Sequence, residues 1–227
     1  MGNNLCGGEE REKNSRGKNI KEQQKQTKVL LDDLSKIRIK RKKKLNEIPQ
    51  WLNESINYLK KHIEEASSYV DAHKDTDAIC EFHLVIERVT NDLKIQNVTD
   101  HRSVAYKTLI TFKARSFASI GYIFEQQLKW KPALNQYTLG YEAVETIENK
   151  SNNHFMLLGR IAKSIGKFYW HHYLVDHELE NKTNAEEFVN KSEDWLNKLD
   201  RKKEYNKDET ENALDALGEL RNLLKTH

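Results

Sequence analysis

Only two prolines, Pro49 and Pro132, interrupt the 227 residues, and they leave long stretches in which nothing forbids an α-helix. A chain of strands would need far more turn residues than this one carries. Within those stretches the apolar residues recur with helical periodicity. Leu52, Ile56, Leu59, Ile63, Ala66 and Val70 step by fours and threes, as do Ile79, Phe82, Ile86, Val89 and Leu93 behind a start signal at Asp75-Thr76. Further helices are predicted from near Thr99-Asp100 to about Gln127 and from Pro132, tolerated in a first turn, to about Glu148. Another covers residues 155–175, after a break at Ser151-Asn152-Asn153. Thr183-Asn184-Ala185-Glu186 has capping-box spacing ahead of Phe188, Ser192, Trp195 and Leu199, which makes residues 178–183 a linker. Leu214, Leu217, Leu220 and Leu224 mark a seventh helix. The fold class that follows is all-α.

Hydrophobic residues make up 37% of the chain and charged residues 32%, a low apolar share for one round core. That balance suits a stack of thin helical layers. Charge is uneven. Residues 1–48 hold 14 Lys+Arg against 7 Asp+Glu, whereas the remainder is net acidic. The chain therefore reads as a basic, largely disordered N-terminal arm over 1–48 and a helical domain over 49–227. Two cysteines, Cys6 and Cys80, give no disulfide framework, and Cys80, beside Ile79 and Phe82, is expected to pack in the core. No apolar leader and no run approaching a membrane span is found, so the expected setting is cytoplasmic.

An internal repeat runs through the helical part. Phe117-x2-Ile120-Gly121-x2-Phe124 followed by Ala133-x3-Tyr137 has tetratricopeptide spacing, in which small residues let two antiparallel helices approach and large ones fill the adjacent holes. Phe155-x2-Leu158-Gly159 restarts the pattern 38 residues later and puts Gly166-Lys167-Phe168 at an inter-helix turn. Ala66-x2-Tyr69 and Ala78-x3-Phe82 give a weaker copy upstream, with His62 and Glu65 in normally apolar slots. The expected architecture is a set of antiparallel helix pairs, as an α-solenoid or an irregular bundle.

The run from Leu158 through Gly159, Arg160, Ile161, Ala162 and Lys163 to Phe168 resembles a repeat of the tetratricopeptide subunit of the outer-dynein-arm docking complex. Leu30-Leu31-Asp32-Asp33-Leu34, and Ile56-Asn57-Tyr58-Leu59 with His62 after it, are similar to segments leading into that family's C-terminal repeats. The chain departs from the family in lacking a counterpart of its N-terminal repeat block and in placing His171 where a small residue belongs. The resemblance implies an adaptor of the cilium or axoneme that binds coiled-coil docking-complex or microtubule-associated proteins, and microtubules themselves. It also implies a partner groove on the first helix of each pair: Arg115, Tyr122 and Glu125, then Met156, Arg160 and Lys163. Three cations among these six favour an acidic peptide segment or a C-terminal carboxylate.

Other motifs carry weaker chemistry. Met1-Gly2-Asn3-Asn4-Leu5-Cys6 resembles an N-terminal acylation signal, with Gly2 taking myristate and Cys6 palmitate. Lys36, Arg38, Lys40, Arg41, Lys42, Lys43 and Lys44 form a basic patch that would supply the second membrane-binding signal on an anionic surface. The same patch suits acidic tubulin tails, a nuclear-import signal, or a solvated role without a partner. Nucleic acid is disfavoured, because the arm holds no aromatic residue to stack on bases. His172 and Asp176, four apart, share a helix face, but His171 and His177 point elsewhere, so no complete metal site is expected. No phosphate loop, nucleophile elbow or acid–base pair is found, so no catalytic residue and no cofactor are expected. The function expected is a non-enzymatic scaffold. An acylated, membrane-tethered signalling adaptor is the alternative, and a metal enzyme built on His172 and Asp176 ranks last.

Overall fold

The computed structural model describes residues 48–199 and 207–226, and the chain divides into two units, Met1–Pro49 and Gln50–His227. Seven helices are described, all in the second unit: α1 (Gln50–Asp71), α2 (Asp75–Ile95), α3 (Val104–Gln126), α4 (Trp130–Glu145), α5 (Asn152–Asp176), α6 (Leu179–Asn197) and α7 (Lys207–Thr226). No strand occurs among the described residues. The chain is all-α, as its periodicity predicts.

Each helix packs on the next. The other close backbone approaches join α1 to α3, α3 to α5 and α5 to α7, whereas among the described residues even-numbered helices meet only through long side chains, Trp195 Nε1 of α6 donating to Tyr141 Oη of α4 at 2.9 Å. That asymmetry is what a curved stack of helix pairs produces, with the odd helices along its inner side. The core follows the stack. Leu52, Leu59, Val85, Val89 and Leu109 bind α1, α2 and α3, while Tyr137, Tyr141, Leu158, Ile161 and Ile165 bind α4 to α5. Met156, Val189, Leu196, Leu217 and Leu220 join α5, α6 and α7. Each large side chain buried in this way contributes about 1.5–3 kcal/mol.

The first two pairs repeat at their turns with a shift of 55 residues. His73 and Leu128 both adopt the left-handed conformation, with φ of 56° and 57°. The N–H of Lys74 donates to Tyr69 O at 2.8 Å, and that of Lys129 to Phe124 O at 2.8 Å, so both helices end in the same cap. Each lysine then lies over the ring it caps, at 5.9 Å. Ala78 and Ala133 are buried at matching places beyond the turn, as are Phe82 and Tyr137.

The third pair departs from that register. The sequence spacing puts a turn at Gly166-Lys167-Phe168, yet α5 runs through those residues to Asp176. Gly166 is spent on close packing, since a methyl there would lie 3.2 Å from Val189 Cγ2 and 3.3 Å from Ala185 O. The turn falls instead at His177, whose φ is 56°. Asp176 closes it by accepting from the N–H of Glu178 at 2.9 Å and from Asn181 Nδ2 at 2.8 Å. The α6 helix therefore begins at Leu179, and residues 178–183 are not a linker. Thr183 is no cap either: its hydroxyl donates to Leu179 O within the helix.

Other starts shift by a few residues. Asp100 accepts from the N–H of Arg102 in a turn, and Ser103 caps α3 by accepting from Tyr106 N at 3.1 Å. Ser151 and His154 form a capping box, so α5 starts inside the expected break. Pro132 keeps its first-turn place because α4 begins at Trp130. Cys80 is exposed, contrary to the packing role expected for it. Ala78, Phe82, Val85 and Val89 define the buried face of α2, and Cys80 lies two residues from the first two, about 200° around the helix.

Candidate binding groove

The inner side of the stack holds a groove of about 1010 Å³ between α1, α3 and α5. On α3, Phe112, Arg115, Ser119 and Tyr122 step by three or four residues and so face it together. Met156, Arg160 and Ser164 do the same on α5, and Lys60, Glu64, Ser67 and Asp71 on α1. Small side chains at Ser67, Ser119 and Ser164 keep the groove open between the larger ones. Ile63, Phe112 and Leu157 give it apolar walls, and Met156 is buried there. Its charges are Lys60, Arg115 and Arg160 against Glu64 and Asp71.

Of the six groove residues named from the sequence, the structure brings Arg115, Tyr122, Met156 and Arg160 to this one concavity. Tyr122 is 51% exposed, an open aromatic face for a bound chain. Glu125 and Lys163 lie off the groove. Glu125 is held between helices, accepting from Tyr137 Oη at 2.8 Å and pairing with Lys167 Nζ at 2.7 Å. Burial, followed by the charge of Glu125, pushes the Tyr137 phenol far above its ordinary range. Burial also pushes the Lys163 ammonium down, with Arg160 and Lys167 adding repulsion.

Lys60 joins the groove without having been expected there, although the sequence carries a signal for it. It stands 55 residues before Arg115, at the same point of the first pair, and the weak upstream repeat supplies that register. Glu64 and Asp71 carry no comparable signal.

His172 Nδ1 lies 3.8 Å from Asp176, which also caps the turn. His171 packs on the Trp130 ring at 5.0 Å and His177 on Tyr173 at 5.9 Å, so neither joins them. Among the described residues, the potential metal ligands that do converge are His62, Glu65 and Glu81. Gly2, Cys6 and the basic patch from Lys36 to Lys44 lie outside the described residues. None of the described helices is long and apolar enough to cross a membrane.

No protein-family model matches this chain, and no curated protein or solved structure matches it.

Proposed function

We propose that this chain is a non-catalytic adaptor of the tetratricopeptide kind, which takes an acidic peptide segment of a partner protein into the groove between α1, α3 and α5. The observation that carries the reading is the grouping of Lys60, Arg115 and Arg160 around a groove with apolar walls and an open Tyr122. A bound strand or helix can bury hydrocarbon on Phe112 and Leu157 while its carboxylates meet the guanidinium groups. Support for the adaptor class comes from the 55-residue repetition of the helix-pair turns and from the resemblance of residues 158–168 to the docking-complex repeat. In this reading the partner is a coiled-coil or microtubule-associated protein.

The test is fluorescence anisotropy of a labelled, glutamate-rich tubulin-tail peptide with the full chain. The basic residues among 36–44 are changed to Gln in every arm, so that only the groove is read. Arg115→Ala with Arg160→Ala is expected to weaken binding by about tenfold or more, at about 1 kcal/mol for each lost charge contact. Equal affinity in that double variant, or no binding by the parent, overturns the reading.

A further inference from the structure

Three side chains of the first helix pair bring a nitrogen and two carboxylate oxygens within 4.8 Å of one another. His62 and Glu65 stand one turn apart on α1, and Glu81 reaches across from α2. His62 Nδ1 lies 2.5 Å from Glu81 Oε2 and 3.6 Å from Glu65 Oε2. The His62 and Glu81 side chains are only 13% and 19% exposed, whereas Glu65 is 42% exposed. The cluster is therefore shielded on the helix-pair side and open at Glu65. The Tyr58 ring, 4.2 Å from the imidazole between centroids, fixes its orientation.

The internal repeat supplies a second, independent observation. A shift of 55 residues carries His62, Glu65 and Glu81 onto Phe117, Ile120 and Gln136. Phe117 and Ile120 are buried, the latter against Ala78 and Phe82. The first pair thus carries an imidazole and two carboxylates where the second pair has two hydrocarbon side chains and a neutral amide. A solvated face calls only for scattered polar side chains. It does not call for an imidazole and two carboxylates pointed at one spot and half hidden from water, where two like charges repel; Lys61, 3.6 Å from Glu65 Oε1 and itself 68% exposed, offsets that repulsion only at the open edge.

We propose that His62, Glu65 and Glu81 bind a divalent transition-metal ion of the zinc class, which clamps α1 to α2. One imidazole nitrogen and two carboxylates suit such an ion better than calcium or magnesium, which prefer all-oxygen shells of six or more ligands. Binding requires His62 to present an unprotonated Nδ1. Three protein ligands leave a fourth position on the open side, for water or for a side chain of a partner.

The experiment uses the full chain, freed of metal by a chelator, with Zn²⁺ titrated calorimetrically and Co²⁺ followed by its visible absorption. One equivalent per chain is expected, with a cobalt spectrum of low coordination number and a melting temperature that rises on saturation with Zn²⁺. Glu81→Gln is expected to weaken binding by more than about tenfold, since even groups that only support a ligand act on that scale. Glu65→Gln, on the open side, serves as the second variant should Glu81→Gln misfold, and it carries the same expectation. His172→Ala is expected to leave both readouts unchanged. No stoichiometric uptake by the parent, uptake unaffected by both glutamine variants, or uptake lost with His172→Ala overturns the proposal.

Discussion

Ser55 donates its hydroxyl hydrogen to the carboxylate of Asp92 across α1 and α2, and both residues are buried. Arg88, one turn before Asp92, pairs with the same oxygen at 3.0 Å. A shift of 55 residues carries Ser55 and Asp92 onto Ile110 and Ile147, both buried. Ile110 and Ile147 belong to one hydrophobic cluster, so hydrocarbon fills the second pair's core at positions where the first pair buries a hydrogen-bonded charge.

That difference fixes how the first pair responds to substitution. Asp92→Ala strands the Ser55 hydroxyl and leaves Arg88 without its partner, at a cost of about 1–3 kcal/mol. Replacing both polar groups by apolar ones of similar volume, Ser55→Ala with Asp92→Leu, is expected to recover most of that loss, because no buried group is left unsatisfied. Urea unfolding of the two variants checks the ordering. A double variant less stable than Asp92→Ala would refute it.

Glycine substitutions give a second contrast. A methyl on Gly159 would lie 2.7 Å from Leu196 Cδ2 and 2.8 Å from its Cγ, so α5 and α6 must separate or Leu196 must leave its site. Gly159→Ala is expected to destabilise by about 1–3 kcal/mol despite the better helix propensity of alanine. Gly218 sits in α7, where an added methyl would meet nothing within 4 Å, and Gly218→Ala is expected to stabilise by about 0.5–1 kcal/mol. Thermal melts of the pair measure both signs.

These positions also mark what the sequence makes legible. The stripes through Leu52 and Leu59, and through Phe82 and Val89, identify buried faces directly, because periodicity reports burial. Gly121 and Gly159 are each recognisable as points of close helix approach, against Tyr137 and Leu196. Their distances from the turn are not equivalent, and spacing alone misplaces the turn at Gly166. The deciding groups there are Asp176, which organises the turn by local hydrogen bonds, and Val189, which needs Gly166 inside a helix. Both act through tertiary geometry that a repeat pattern does not encode. The groove residues Arg115, Tyr122, Met156 and Arg160 follow from the family resemblance laid on that pattern, whereas the meeting of His62 with Glu81 depends on a contact between two helices.

Stability should fall on the acid side through His154. Its Nδ1 accepts from the N–H of Ser151 at 2.9 Å, which leaves Nε2–H to donate to Thr111 Oγ1 at 3.1 Å. Burial, then Lys107, Lys150 and Arg115, hold its pKa below the ordinary 6.5. The unfolded chain therefore takes up a proton first. The stabilising contribution is full above about pH 6.5 and is lost as pH falls toward the lower folded value. His171, pushed down chiefly by burial, acts with the same sign. His154→Gln keeps an acceptor for the cap and is expected to flatten the decline between neutral and mildly acidic pH, as read from urea midpoints. An unchanged slope would contradict the assignment.

The separation of Glu125 from the groove makes the last prediction. Its carboxylate serves Tyr137 and Lys167, both within the folded stack, and its side chain is 13% exposed. Glu125→Ala leaves a buried phenol without an acceptor and is expected to lower stability by about 1–3 kcal/mol. Because it does not line the groove, the same change should move the affinity for an acidic peptide by less than about twofold when the protein is folded, well under 1.4 kcal/mol. Arg115→Ala is expected to do the reverse: Arg115 is exposed and makes no ion pair among the described residues, so its loss costs binding rather than stability. Measuring unfolding and peptide binding on both variants separates the residue that builds the stack from the one that faces the ligand. If Glu125→Ala abolished binding at full stability, the groove would have to extend over α4 and the assignment of its edge would be wrong.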